Sequence, residues 1–381
     1  MVKPSMLKTL GSACLCLGLA VGSGKALAAT DVLETPAMET QLADDSLLLD
    51  IDDAGDRLVA AGTRGHIIYS EDRGQTWTQA QVPVSTLLTA IDFPTADTGW
   101  AVGHGGVVLR TTDGGTTWEK VFDGYRASEL TISYLEDQIA ELEQKIEEAP
   151  DNKKSDLEWK LEGLQFTLED AQYDAEVGPW KPLLDVWFRD ANHGFVIGAY
   201  GMIFHTKDGG ETWTNWAGQI KNENRFHYNA IAQITGGALF IGGEAGTLYR
   251  STDGGETWET LDSPYSGSFF GISGTGNVNE VVAFGLRGHV FRSTDLGRTW
   301  TSVSTPTEST LTGAAAGDNN RLVIVGNDGA VIVSNDAGES FRGQTREDRT
   351  SLLSVRILPN QDLLIVGEDG VVHAGPNGLT Q

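Results

Sequence analysis

Cysteine is almost missing from this chain, and its location matters. The 381 residues hold two, Cys14 and Cys16, both within an N-terminal stretch that reads as a cleavable leader. Without them the chain can form neither disulfides nor thiolate metal sites, so its stability must come from packing. Positive charge is scarce as well: 27 Lys and Arg stand against 53 Asp and Glu. With the leader's Lys3, Lys8 and Lys25 set aside, 24 basic residues remain and the balance falls near −29. Such a surface repels nucleic acid and anionic lipid head groups at long range, so no nucleic-acid partner is expected. The seven histidines include no H-x-x-x-H pair, which leaves a zinc site little to build on. Neither a G-x-S-x-G elbow nor a P-loop occurs. Asp50, Asp52 and Asp53 cluster, but the glycine and distal Glu of a calcium loop are lacking, and they read as a solvated strand end. No cofactor is indicated, and no catalytic or metal-binding residue is expected.

Long apolar runs are lacking too. The stretch from Leu10 to Val21 follows Lys3 and Lys8 and precedes Ala26-Leu27-Ala28. It is too short for a permanent anchor and reads as a secretory signal over residues 1–28, cleaved after Ala28 or Ala29, with a periplasmic product.

What the chain does have is repetition. A turn of the form [ST]-x-D-x-G-x-[ST]-[WF], the Asp box, occurs six times. It places Asp72 with Trp77, Asp113 with Trp118, Asp208 with Trp213, Asp253 with Trp258, Asp295 with Trp300, and Asp336 with Phe341. The aromatics step by 41, 95, 45, 42 and 41 residues. A period of that length suits a four-stranded propeller blade. The Asp and hydroxyl groups can bond their own turn, the Gly can adopt the left-handed conformation, and the aromatic can wedge into the blade, so these are structural residues. A G-x-x-G turn precedes the last strand before each box, from Gly62-Thr-Arg-Gly65 to Gly326-Asn-Asp-Gly329, and a seventh, Gly367-Glu-Asp-Gly370, stands alone. The glycines are expected to supply the positive φ of a tight hairpin. Seven hairpins predict an all-β, seven-bladed β-propeller. Its last blade is short of one strand, for which residues 37–42 are the natural donor.

The period breaks once. Ile132, Leu135, Ile139, Leu142 and Ile146 form one apolar stripe of helical spacing, and Leu157, Leu161, Leu164, Leu168 and Ala171 form another. Pro150 separates them, and Ser155-x-x-Glu158 reads as a capping box. An antiparallel helical hairpin, a short coiled coil, is therefore expected between blades 2 and 3. The domain reading is blades 1–2 with the N-terminal closing strand over 31–123, the hairpin over 124–180, and blades 3–7 over 181–381. As a blade-to-blade connection, the hairpin should rise from the face that carries the G-x-x-G turns. Candidate partner-binding residues are Arg64, His104, Tyr200 and Arg287 on that face, Tyr134, Trp159 and Phe166 on the arm, and Lys153 and Lys154 at its tip.

The repeated G-x-x-G strands and [ST]-x-DGG-x-TW boxes resemble the photosystem II assembly/stability factor family of BNR-type propellers, including its members in bacteria that do not photosynthesise. The resemblance implies a non-enzymatic, exported scaffold that binds a membrane-protein client. For the non-photosynthetic members it further implies an accessory role with a resistance-nodulation-division type transporter. Asp boxes also occur in sialidases, and Tyr200, Glu244, Arg64 and Arg287 could be assembled into a glycosidase site. The Arg-Ile-Pro signature is absent, however, and seven blades exceed the sialidase six. A secreted glycoside hydrolase is the alternative reading.

Overall fold

The computed structural model describes residues 31–378; the leader reading falls outside them. Seven antiparallel sheets follow one another along the chain, six of four strands and the last of three. Their first strands are Leu48–Ala54, Leu88–Asp92, Leu183–Phe188, Tyr228–Gln233, Phe269–Gly274, Leu311–Ala316 and Leu352–Ile357. Each neighbours the first strand of the next sheet, and the seventh returns to the first, which closes the ring of a β-propeller. An apolar cluster fills each sheet-to-sheet boundary, for example Val59, Leu88, Ile91 and Trp118 between sheets 1 and 2. Leu48, Ile51, Leu364 and Val366 do the same between sheets 7 and 1.

The second strands, such as Gly99–Gly103 and Leu363–Gly367, are buried throughout except at Arg57 of sheet 1, and end on the first glycine of the G-x-x-G turn. The turn uses its two glycines differently from the expectation. Gly62 and Gly103 are extended (φ −171° and −176°), and they are glycine because a Cβ would lie 2.2 Å from the carbonyl oxygens of Leu47 and Leu87. Positive φ falls instead on the second glycine, as at Gly65 and Gly370, and in the first six turns also on the residue before it, as at Arg64 and Tyr200.

In the six repeated polar turns the hydroxyl and carboxylate organise the backbone. In the third, the Gly210 N–H donates to Thr206 Oγ1 (2.9 Å), while Thr212 donates its N–H (2.9 Å) and its hydroxyl (2.6 Å) to the two oxygens of Asp208. Gly210 is left-handed at φ 84°. Trp77, Trp118 and Trp258 donate their indole N–H back to the glycine carbonyl of their own turn.

First strands of neighbouring sheets share no β-ladder, and side chains join them. Ile91 and Phe93 donate their N–H groups to Asp50 (3.0 Å) and Asp52 (2.7 Å), Phe188 donates to Asp92 (2.8 Å), and Ile231 donates to Asp185 (2.8 Å). Thr89 donates to the Leu183 carbonyl, Asn229 to that of Phe269, and Thr312 to that of Leu352. At the closing boundary Arg356 of sheet 7 meets Asp52 (2.5 Å) and Asp53 (3.3 Å) of sheet 1. The cluster read as a solvated strand end is therefore structural. Burial lifts the Asp50 carboxyl above its ordinary range against the pull of Arg356. It lifts Asp92 well above that range with the help of Asp52, and Asp185 to about 8.

The expected closing strand is not formed. Leu33 is buried between sheets 1 and 2, Ala37 donates its N–H to Val82 O, and Thr40 bonds Gln79. Residues 37–42 thus run beside sheet 1, held there by the burial of Leu33. The segment reaches sheet 7 just after this, at residues 43–45: Ala43 joins Leu364 and Val366, and the Asp44 carbonyl accepts the Val371 N–H where a Cβ on Gly370 would clash.

Helix α1, Gly124–Glu148, and helix α2, Asp151–Val177, pack on one another between sheets 2 and 3. Asp123 caps α1 by accepting from Tyr125 N and Arg126 N. The start of α2 lies four residues before the expected Ser155 cap. Pro150 alone makes the break, since it disfavours helical geometry at Ala149 and its own φ of −65° suits a helix start.

Two expectations follow. Replacing Arg356 with Leu should cost about 3 kcal/mol in urea unfolding, because the facing carboxylates lose their counter-charge. For Asp185 the folded-state pKa lies above the unfolded one, so its contribution to stability is full in acid and is lost as pH rises toward about 8. Asp72, held near 2 by the hydroxyl and N–H of Thr76, has the opposite sign, and its contribution is lost only in strong acid. The melting temperature should therefore fall from about pH 5 to about pH 9, with a shallower slope in Asp185→Asn.

Candidate functional site

The arm does not stand clear of the ring. Its root is fixed at Gly124, where a Cβ would meet Pro179 and the Gly105 carbonyl of the sheet 2 turn. The arm therefore leaves from the G-x-x-G face. Ala127 joins the core between sheets 2 and 3. One turn further on, Asn215 of the outer strand of sheet 3 donates to Thr131 (3.3 Å). The Tyr134 hydroxyl lies over Gly218, in space that any side chain there would need. From α2, Asp170 pairs with Arg225 of the loop between sheets 3 and 4 (3.2 Å). Asp174 takes Lys181 and the Trp180 indole N–H, folding the chain back at the end of α2.

Arm and ring so enclose a cleft of about 670 Å³. Leu135, Leu164 and Ala171 line it from the arm, and Met202, Ile220, Tyr228 and Trp258 line it from the propeller. Its rim is aromatic and cationic. Tyr200 sits edge-on to Trp180 (5.3 Å) and to His227 (5.0 Å), with the Lys181 ammonium 5.0 Å from the Tyr200 ring centre. Tyr200 holds a left-handed backbone (φ 58°) on an exposed turn tip, a conformation that a non-glycine residue adopts only under constraint. Glu244 accepts the His227 N–H (3.2 Å). The arrangement offers an apolar floor, stacking rings and a cation, the chemistry of binding a peptide or side chain.

The candidates named from sequence separate into three places. Tyr200 and Tyr134 come together at the cleft, Tyr134 half-buried against the propeller. Arg64, His104 and Arg287 are exposed on the turns of sheets 1, 2 and 5 and do not line it. Lys153 and Lys154 lie at the first turn of α2, with Lys154 3.7 Å from Asp151. Trp159 and Phe166 project from α2 into solvent. Sequence reasoning missed Trp180 and Lys181 as rim residues. Trp180 carried a signal, standing seven residues after Tyr173, itself seven after Phe166 and fourteen after Trp159.

Residues 31–146 and 169–315 match the family described as photosynthesis system II assembly factor YCF48. The photosystem II assembly lipoprotein Ycf48 of Prochlorococcus marinus (strain MIT 9313) is 35% identical over 65 residues, 15% of this chain and 19% of that one. The chloroplastic photosystem II stability/assembly factor HCF136 of Cyanidioschyzon merolae is 49% identical over 49 residues, 12% of this chain and 11% of that one. The aligned stretches thus span about a fifth or less of these relatives. Among solved structures, Ycf48 bound to a D1 peptide superposes with a TM-score of 0.60 at 16% identity, covering 90% of this chain and 99% of that one. Ycf48 from Cyanidioschyzon merolae gives 0.57 at 15%, covering 86% and 95%. At such identities the superpositions establish the propeller fold. With the family match extending over most of its length, the chain belongs to the photosystem II assembly factor Ycf48 family.

Proposed function

We propose that this protein is an exported, non-enzymatic seven-bladed propeller that binds a membrane-protein client during assembly, with the helical arm and the adjoining turn face as its contact surface. The carrying observation is the arm–propeller cleft, which joins an apolar floor to the exposed rings of Trp180 and Tyr200, with the Asp174-paired Lys181 beside them. Support also comes from the relatives, which are named as assembly proteins and include one bound to a D1 peptide. In this reading residues 1–28 are a signal peptide and the product is periplasmic. The six Asp boxes are turn staples, and the arm is a short coiled coil inserted between blades 2 and 3. The exporter association implied by the non-photosynthetic members is the client identity to test. The glycosidase reading has less behind it, because Tyr200 and Glu244 both face His227 whereas Arg64 and Arg287 belong to other turns.

The distal arm, residues 138–161, can be replaced by a short Gly/Ser turn. This leaves the Leu135–Leu164 layer and the root in place, and loop closure depends only weakly on length. The variant should be exported and unfold cooperatively, yet recover several-fold less client from solubilised membranes, with a transporter subunit as the co-purifying protein. Full recovery would confine the contact to the arm's root, the cleft and the turn face, all of which this variant retains. The purified protein should hydrolyse no sialoside, and turnover abolished by Tyr200→Phe would overturn the scaffold reading.

A further inference from the structure

Helix α2 is apolar on two opposite sides. Leu157, Leu164 and Ala171 recur every seven residues on the side packed against α1. Trp159, Phe166 and Tyr173 recur at the same interval two positions later, which at about 100° per residue places them roughly 200° round the helix. They are 76%, 60% and 67% exposed, the most exposed aromatic side chains among the described residues. With Val177, which is 59% exposed, they form a line about 27 Å long. The arm's own packing does not use them: at Gly163, between the first two, a Cβ would meet nothing within 4 Å. Beside this line runs a second one of the same period, the exposed Glu162, Glu169 and Glu176. An apolar heptad line with charged neighbours is one half of a coiled-coil seam.

We propose that this face docks an amphipathic α-helix of a partner protein, whose apolar seam covers Trp159, Phe166 and Tyr173 and whose flanking Lys or Arg residues meet Glu162, Glu169 and Glu176. The seven-residue spacing selects a helix over an extended peptide, because a strand would need alternate residues on one line. The acidic line selects a basic partner. It also disfavours a second copy of this chain, in which glutamates would face glutamates on a molecule of formal charge −26. This inference rests on the arm being the client-binding element. It can fail on its own, since the distal-arm deletion reads client recovery whereas the test below reads the chemistry of one helix face.

The test uses two fluorescein-labelled synthetic helices of about four heptads, both with Leu and Ala at the seam, one flanked by Lys and one by Glu. Fluorescence anisotropy against the purified chain should show micromolar binding of the Lys-flanked helix and at least tenfold weaker binding of the other. The triple variant Trp159→Ala, Phe166→Ala, Tyr173→Ala should lose at least tenfold in affinity while keeping its melting temperature. Glu162→Lys with Glu169→Lys and Glu176→Lys should invert the preference. Equal binding of the two helices, no binding of either below about 100 μM, or an unchanged triple variant would overturn the proposal. So would a concentration-dependent dimer in sedimentation that the triple variant abolishes, because the occupant would then be a second copy.

Discussion

The ring depends on how its first strands are joined without a ladder between them. Backbone N–H groups on those strands point across sheet boundaries and must find acceptors, since an unpaired buried donor costs as much as a lost hydrogen bond. Carboxylates supply the acceptors from Asp50, Asp52, Asp92 and Asp185 over the first four sheets. Hydroxyl and amide groups tie later boundaries through the carbonyl oxygens instead. Burial raises the carboxyls of Asp92 and Asp185, and repulsion among the acids gathered around the closed centre adds to it. Arg356, kept protonated by Asp52, Asp50 and Asp53 against the cost of burial, offsets part of it where the ring closes. With a three-stranded last sheet, closure rests on this ion cluster, the apolar contact of sheets 7 and 1, and Asp44 at the hairpin.

A ring closed in this way leaves the loops between sheets free to carry function. The arm uses one of them. Its root is built into the core at Ala127 and pinned at Gly124, so the cleft at its base is a fixed feature and not the product of two elements drifting together. Exposed aromatics are correspondingly concentrated there: Tyr125, Trp159, Phe166, Tyr173, Trp180 and Tyr200 all lie on the arm or beside its root. A water-facing ring on a rigid support loses little freedom when a partner covers it, which makes it a good contact residue.

Much of the architecture was legible because it repeats. The polar turns and G-x-x-G hairpins marked the sheets, and heptad spacing marked both helices. What escaped notice depended on neighbours one repeat away. Asp52 looked solvated because its partner, the Phe93 N–H, lies 41 residues on. The first turn glycine looked like a φ requirement because sequence does not show the Leu47 carbonyl against Gly62. The N-terminal segment followed Leu33 into the sheet 1–2 core, a preference that a single buried leucine does not announce. At the candidate site, Tyr200 and the arm aromatics stood out by residue type, whereas the gathering of Trp180, Lys181 and Arg225 beside them required the fold.

The central claim is that the client meets the arm and its adjoining turn face, not the opposite face formed by the polar turns. Site-specific photo-crosslinking in cells tests this directly, with a benzophenone amino acid placed singly at Phe166, at Tyr200 and at Glu211 in the third polar turn. The account predicts that positions 166 and 200 crosslink to an integral membrane protein and that position 211 does not. Crosslinks from position 211 alone, or from none of the three, would contradict it.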